Sequence, residues 1–228
     1  MLKDEIRRHY ESICEKIHSV CSASGRSSEQ VTVVAVTKVH PIETVQAVLD
    51  AQITQIGENR VQEIEQKAPH LRGEFTLHLV GPLQTNKINK VLPYVSWIQS
   101  IDRRKLVDGI EKRIEASSQP INALVQVNTS GEPSKSGCSP RECSELCEYV
   151  AASASLDLRG LMTIGPLSGG ERETRAAFAL LRNCSERIRH LVPNPHLSMG
   201  MSNDFEWAVA EGATMVRIGS SLVGSRYA

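Results

Sequence analysis

"VTVVAVTKVHPIETVQAVLDA", residues 31–51, decides the fold. A β-branched run, "TVVAVT" (32–37), passes through the turn "TKVHPIE" into "IETVQAVLDA", where apolar residues recur at three and four, the period of a helix packed on one face. This is one strand–helix unit. A doubly wound open sheet would carry a Gly-rich G-x-G-x-x-G turn after its first strand, and this turn has no glycine.

The same unit recurs along the chain. Strand candidates follow at "ITQIG" (53–57), "FTLHLV" (75–80), "VSWIQS" (95–100), "NALVQVN" (122–128), "LDLRGLMTI" (156–164), "PHLSM" (195–199) and "MVRIG" (215–219). Helical stretches separate them, from "RVQEIEQKA" to "NDFEWAVAEG". With the first strand they make eight, the number that closes a parallel (β/α)₈ barrel. No Pro- or Ser-rich linker divides the chain, so residues 1–228 read as a single-domain α/β TIM barrel. The N-terminal stretch "MLKDEIRRHYESICEKI" is charged throughout and reads as an extra amphipathic helix packing on the barrel over residues 1–25, not as a signal peptide.

The balance of 26 basic against 26 acidic residues gives no overall field toward nucleic acid or anionic lipid. No apolar run is long enough to span a bilayer. Six cysteines scattered without a C-x-x-C pair predict reduced thiols in a cytoplasmic protein. Cys143 and Cys147 lie at helical spacing, but no histidine stands beside them at ligand spacing, so no metal site is expected.

In such a barrel the chemistry gathers at the C-terminal ends of the strands. The ends read Lys38, Glu58 and Asn59, Ser100, Asn128, Thr163, Ser198 and Arg217, with His78 inside the third strand. A lysine at a barrel mouth is a nucleophile toward carbonyls once desolvation and nearby cations favour its free amine. The alternative is a lysine whose stem merely covers the rim. "HLSMGMSNDFEWAV" carries Ser198, Gly200 and Ser202 into a helix with Asn203 as its cap, and "VRIGSSLVGS" ends the last strand with Gly219, Ser220 and Ser221. Small residues in both turns let the backbone approach an anion, and loops after the seventh and eighth strands are the usual phosphate grip of this fold. Arg217 pointing inward needs a partner, either a cofactor ring nitrogen or a carboxylate such as Glu58. His78 is either a pocket residue or a satisfied core histidine. Lys135, in the loop "NTSGEPSKSG" (128–137), is expected in solvent unless that loop covers the mouth.

The blocks "VAVTKVHP", "IGENRVQE", "HLVGPLQTNK", "NTSGEPSKSG", "GLMTIGPL", "LSMGMSNDFEWAV" and "VRIGSSLVG" resemble the signature blocks of the pyridoxal phosphate homeostasis proteins, in their order and from residue 31 nearly to the end. Leu77 departs from the pattern, standing where members often carry an aromatic residue. The resemblance implies an alanine-racemase-like barrel of fold type III that binds pyridoxal 5′-phosphate. It implies an internal aldimine on Lys38, phosphate contacts from Ser198, Gly200, Gly219 and Ser220, Arg217 facing the pyridine nitrogen, and Asn59 and His78 lining the ring pocket. It also implies a role in buffering and delivering the cofactor and in amino-acid balance, with transient contact to apo-enzymes and no established catalytic activity.

The residues bear on that last point. A fixed cation opposite the ring nitrogen disfavours a protonated ring and so weakens the electron sink. A two-base racemase needs a second acid/base, and none of Tyr10, Tyr94, Tyr149 or Tyr227 falls at a predicted strand end. An amino-acid racemase or related weak enzyme is the first alternative. A class I aldolase-like Schiff-base enzyme is the second, with Glu58 as its only nearby carboxylate. A monomer is expected.

Overall fold

The computed structural model describes residues 2–114 and 119–224. A first helix, α1 (Leu2–Ala23), precedes β1 (Thr32–Val36), α2 (Ile42–Asp50), β2 (Gln55–Glu58), α3 (Val61–Lys67), β3 (Thr76–Leu79), α4 (Ile88–Val91), β4 (Trp97–Ile101) and α5 (Arg104–Glu111). Then come β5 (Ile121–Gln126), α6 (Cys143–Ala151), β6 (Leu156–Met162), α7 (Glu171–Glu186), β7 (His196–Met201), α8 (Phe205–Ala210), β8 (Met215–Ile218) and α9 (Ser220–Val223). The strands close in sequence order into an eight-stranded barrel. Every pairing is parallel, including β1 to β8, where Val34 lies opposite Arg217. The (β/α)₈ barrel expected from the sequence is what the chain forms.

Parallel strands are buried on both faces, by helices outside and side chains inside. The outward set, such as Val33, Ala35, Leu77, Leu79, Ile98 and Val216, joins the helices in one continuous core. Apolar interior residues form a much smaller cluster: Leu124, Met162 and Met215, packed with Trp97 and Ile164. Val34, Val36 and Val80 gather around Gly57 on another side of the interior, and between these apolar patches runs a set of polar side chains.

Helix α1 buries Ile6, Ile13, Ile17 and Cys21, a stripe at helical spacing, against α2, α8 and α9. Its His9 Nδ1 lies 3.0 Å from the Leu222 carbonyl oxygen of α9. Cys143 and Cys147 are both on the buried face of α6. Among the described residues, no helix is long and apolar enough to cross a membrane.

Two local expectations need correction. Strand β7 continues to Met201, so Ser198 is mid-strand and not at a rim. The cap of α8 is Asp204, one residue after the expected Asn203. Its carboxylate accepts the Met201 N–H, closing the turn between β7 and α8.

Candidate functional site

The polar side chains read as one converging rim occupy two levels. Lys38, Asn59, Gly219 and Ser220 lie beyond strand ends and keep some solvent access, whereas His78, Ser198 and Arg217 are buried within strands. Lys38 sits in the turn after β1, half-buried, and has no hydrogen-bond or ion-pair partner among the described residues. Asn59 lines a cavity of about 440 Å³ between the loops after β2, β3 and β4, with Arg60, Gln84, Lys87, Arg103 and Ser136 also on its wall. Arg103 is paired with Asp102, which also lines the cavity, and Arg60 and Lys87 leave it a net positive charge.

Inside the barrel a single file of hydrogen bonds starts at Arg217. Its Nη1 donates to Ser198 Oγ at 2.7 Å, and its Nη2 donates to the Thr163 carbonyl at 2.7 Å. Ser198 Oγ in turn donates to Gln99 Oε1 at 2.7 Å. Gln99 Nε2 donates to His78 Nδ1 at 2.9 Å. His78 Nε2 donates to Gln55 Oε1, also at 2.9 Å. Each donor is set by the one before it, so the cation at one end fixes the polarity of the whole file.

His78 is therefore satisfied at both nitrogens. It stacks on Trp97 with ring centroids 5.3 Å apart and has no exposed surface. The ring lies beneath the mouth and reaches a ligand only through Gln99 and Ser198. Burial, aided by the charge of His196, pushes its pKa down to about 3, so it is neutral across the physiological range. A base whose folded pKa is depressed stabilises the fold above its unfolded pKa, and that contribution is lost as pH falls. Between 6.5, its ordinary value, and about 3, the unfolded chain takes up a proton that the folded chain refuses, which costs about 1.4 kcal/mol per pH unit. Urea unfolding from pH 7 to 4.5 should show that slope, and His78→Gln should remove it. An equally steep decline in the variant would assign acid sensitivity elsewhere.

Arg217 is 5% exposed and has no carboxylate at ion-pair distance among the described residues. Burial lowers its pKa to about 10, with Asp204 pulling the other way, and the group remains charged at neutral pH. The carboxylate suggested as its partner, Glu58, is committed elsewhere. Glu58 Oε1 accepts Thr37 Oγ1 at 2.7 Å and Lys67 Nζ at 2.9 Å. That commitment also takes away the one acid/base an aldolase-like reading had available.

At the other end of the mouth, the main-chain N–H groups of Gly219 and Ser221 converge on Ser202 Oγ, each at 3.3 Å. Donors that converge at such long distances on one neutral oxygen suit a more strongly accepting anion. Gly200, with φ of 93°, brings β7 close to α8: a Cβ there would lie 2.5 Å from the Ala208 Cβ. The hydroxyl of Ser198, by contrast, is used up inside the barrel, and Ser202 is the serine of this strand that stands at the anion-suited turn.

Lys135 is not in solvent as expected. Its ammonium binds the Gly165 carbonyl and the Glu132 carboxylate, with 11% of the side chain exposed. Asn128 ties the same loop by donating to the Glu132 carbonyl at 2.9 Å and accepting the Gly131 N–H at 3.1 Å. Among the tyrosines, Tyr149 donates to Asp108 at 2.6 Å between α6 and α5, Tyr10 is on α1, and Tyr227 lies outside the described residues.

The sequence model of the alanine racemase N-terminal domain matches residues 14–227. The chain belongs to that family. Within the alanine racemase N-terminal domain family, a pyridoxal phosphate homeostasis protein of Aquifex aeolicus is 37% identical over 217 residues, covering 94% of this chain and 95% of the relative. A crystal structure of a Bifidobacterium adolescentis protein of unknown function superposes with a TM-score of 0.89 at 35% identity, over 97% of this chain and 95% of that one. PipY of Synechococcus elongatus PCC7942, solved with PLP bound, gives a TM-score of 0.79 at 32% identity, over 93% of this chain and all (100%) of that one.

Four residues of the site were not singled out by sequence reasoning: Gln55, Gln99, Glu63 and Lys67. Gln99 stands two residues after Trp97 on the same strand face, and Lys67 falls on the buried stripe of α3 with Val61 and Ile64. A lysine on an apolar stripe is the signal that was there to be read.

Proposed function

We propose that this protein binds pyridoxal 5′-phosphate, held covalently by Lys38, and serves to buffer and deliver the cofactor within the cell without efficient turnover of its own. When bound, the cofactor supplies an aldehyde open to amines and a pyridine ring able to draw electron density. The Lys38 amine, unpartnered at the mouth, is the nucleophile for that aldehyde. The N–H groups of Gly219 and Ser221, with the Ser202 and Ser220 hydroxyls, are the phosphate anchors, and the glycine at 200 keeps β7 and α8 close enough to form that end of the pocket. Asn59, immediately after β2, would line the ring pocket.

The observation that carries the reading is Arg217. Locked by Ser198 and Thr163 and charged at neutral pH, it presents a fixed cation where the ring nitrogen would lie. A cation there opposes protonation of the ring and so disfavours aminotransferase-type chemistry. The second base that a racemase needs has no candidate among Tyr10, Tyr94 and Tyr149, none of which stands at a strand end, and the two together favour holding over turnover. The kinship with a pyridoxal phosphate homeostasis protein and with the PLP-bound PipY supports the same ligand. The proposed pocket is built from one chain, in keeping with a cytoplasmic monomer that meets its apo-enzyme clients transiently.

The test is the absorption spectrum of the purified protein over roughly 300–500 nm, for the parent and Lys38→Ala, followed by borohydride reduction and peptide mapping. The expected result is a visible band in the parent, lost in the variant, with the reduced adduct on Lys38. Loaded protein should then restore activity to an apo-enzyme while turning over no amino acid. A colourless parent that takes up no added cofactor overturns the ligand, and multiple turnover of an amino acid overturns the carrier role.

A further inference from the structure

The residue after Lys38 has an unfavourable backbone. Val39 adopts φ of 62°, in the left-handed region that a β-branched side chain enters only under constraint. Its own packing does not account for this, since Val39 is 46% exposed. The turn, closed by the His40 N–H on the Thr37 carbonyl at 3.2 Å, and helix α3 together account for it. Glu63 Oε2 accepts the Val39 N–H at 2.6 Å, and Lys67 Nζ donates to the Thr37 carbonyl at 3.0 Å. Lys67 and Glu63, one helical turn apart, pair at 2.7 Å. The residues on either side of Lys38 are thus each held by one member of a single ion pair.

The pair has a deep anchor. Lys67 Nζ also binds Glu58 Oε1 at 2.9 Å, at a depth where the lysine is 7% and the glutamate 2% exposed. Glu58 Oε2 and Glu63 Oε1 are both buried without a partner. Burial keeps the Glu58 carboxyl above its usual range despite Lys67 and Thr37. Burial also pushes Glu63 up, but hydrogen bonds from Lys67, Val39 and Glu58 outweigh it and hold Glu63 below its range. The raised Glu58 and lowered Glu63 leave Glu63 as the carboxylate that pairs with the Lys67 ammonium.

We propose that Lys67 and Glu63, braced by Glu58, are positioning residues: they clamp the Thr37–His40 turn in its strained form and thereby set the Lys38 amine for capture of the cofactor. This deepens the reading of Lys38 as the attachment lysine and rests on it. The clamp touches no ligand. It acts by denying the turn the relaxed backbone that Val39 prefers.

The strain itself provides the test. A glycine at 39 enters the left-handed region freely, so Val39→Gly should make the clamp dispensable. Apo-protein is mixed with pyridoxal 5′-phosphate, and the appearance of the lysine-bound visible band is followed in the parent, Glu63→Ala, Lys67→Met, Val39→Gly and each clamp variant combined with Val39→Gly. Borohydride mapping to Lys38 and thermal unfolding are recorded on every sample. Glu63→Ala should slow capture at least tenfold while remaining folded, Val39→Gly alone should capture at the parental rate, and the double variant should return to within about threefold of it. Glu63→Gln takes the place of Glu63→Ala should the latter not fold. Capture at the parental rate in folded clamp variants overturns the proposal, as does failure of Val39→Gly to rescue them. A parent that forms no adduct on Lys38 instead overturns the ligand reading beneath it.

Discussion

Arg217→Met is expected to cost the protein its cofactor but not its fold. The buried guanidinium is charged without a carboxylate at pairing distance among the described residues, and burial, partly offset by Asp204, brings its pKa from 12.5 to about 10. That depression corresponds to roughly 3 kcal/mol of unfavourable charge burial. Methionine removes this penalty and keeps most of the apolar stem. Against the gain stand the acceptor sites of Ser198 Oγ and the Thr163 carbonyl, each short of one donor, at about 1–3 kcal/mol together. The net change in apo-protein stability should fall between zero and a gain of about 2 kcal/mol. A hydrogen bond to a charged partner is worth about 1.5–3 kcal/mol, so affinity for pyridoxal 5′-phosphate should drop roughly 10- to 100-fold. Urea unfolding of the apo-protein and equilibrium dialysis of the ligand separate the two effects. A loss of more than about 3 kcal/mol would make Arg217 a structural keystone of the polar file, and unchanged affinity would remove it from the site.

The same balance explains which parts of the molecule were legible in the sequence. The outward-facing strand residues are selected by one rule, burial against helices, and so "TVVAVT" and its successors give up the barrel by pattern alone. The interior obeys a different rule. Gln55, His78, Gln99, Ser198 and Arg217 are individually ordinary strand residues, and only closure of the barrel brings residues as far apart as 99 and 198 into one hydrogen-bonded file. Ser198 was therefore legible as polar and near a functional turn, but not as already occupied by Arg217. Likewise Lys38 announced itself by its turn, whereas its support at Lys67 depends on a side chain of α3 reaching the turn after β1. The strain at Val39 depends on a backbone angle that no residue type reports. Lys135 was misjudged for a related reason: its partner, the Gly165 carbonyl, belongs to the loop after β6.

Gly200→Ala should be a strongly damaging single-methyl change at the anion end of the site. Two separate costs meet at this position. The backbone has φ of 93°, where any side chain is strained by about 1–3 kcal/mol. The added Cβ would also lie 2.5 Å from the Ala208 Cβ and 3.0 Å from the Phe205 Cα, so α8 would have to move off β7, at about 1–3 kcal/mol more. Gly131→Ala separates the terms, because φ there is 72° but nothing lies within 4 Å of the new methyl. It should lose only the strain, about 1–3 kcal/mol, against about 2–6 kcal/mol for Gly200→Ala in urea unfolding. The larger loss should carry a functional consequence that the control lacks. Displacing α8 pulls on the Met201–Asp204 turn and moves Ser202 from the point where the Gly219 and Ser221 N–H groups converge. At temperatures where both variants remain folded, only Gly200→Ala should bind inorganic phosphate and pyridoxal 5′-phosphate more weakly than the parent. Equal losses of stability in the two variants would mean that α8 yields freely, and that the close packing of β7 on α8 does not shape the anion end of the pocket.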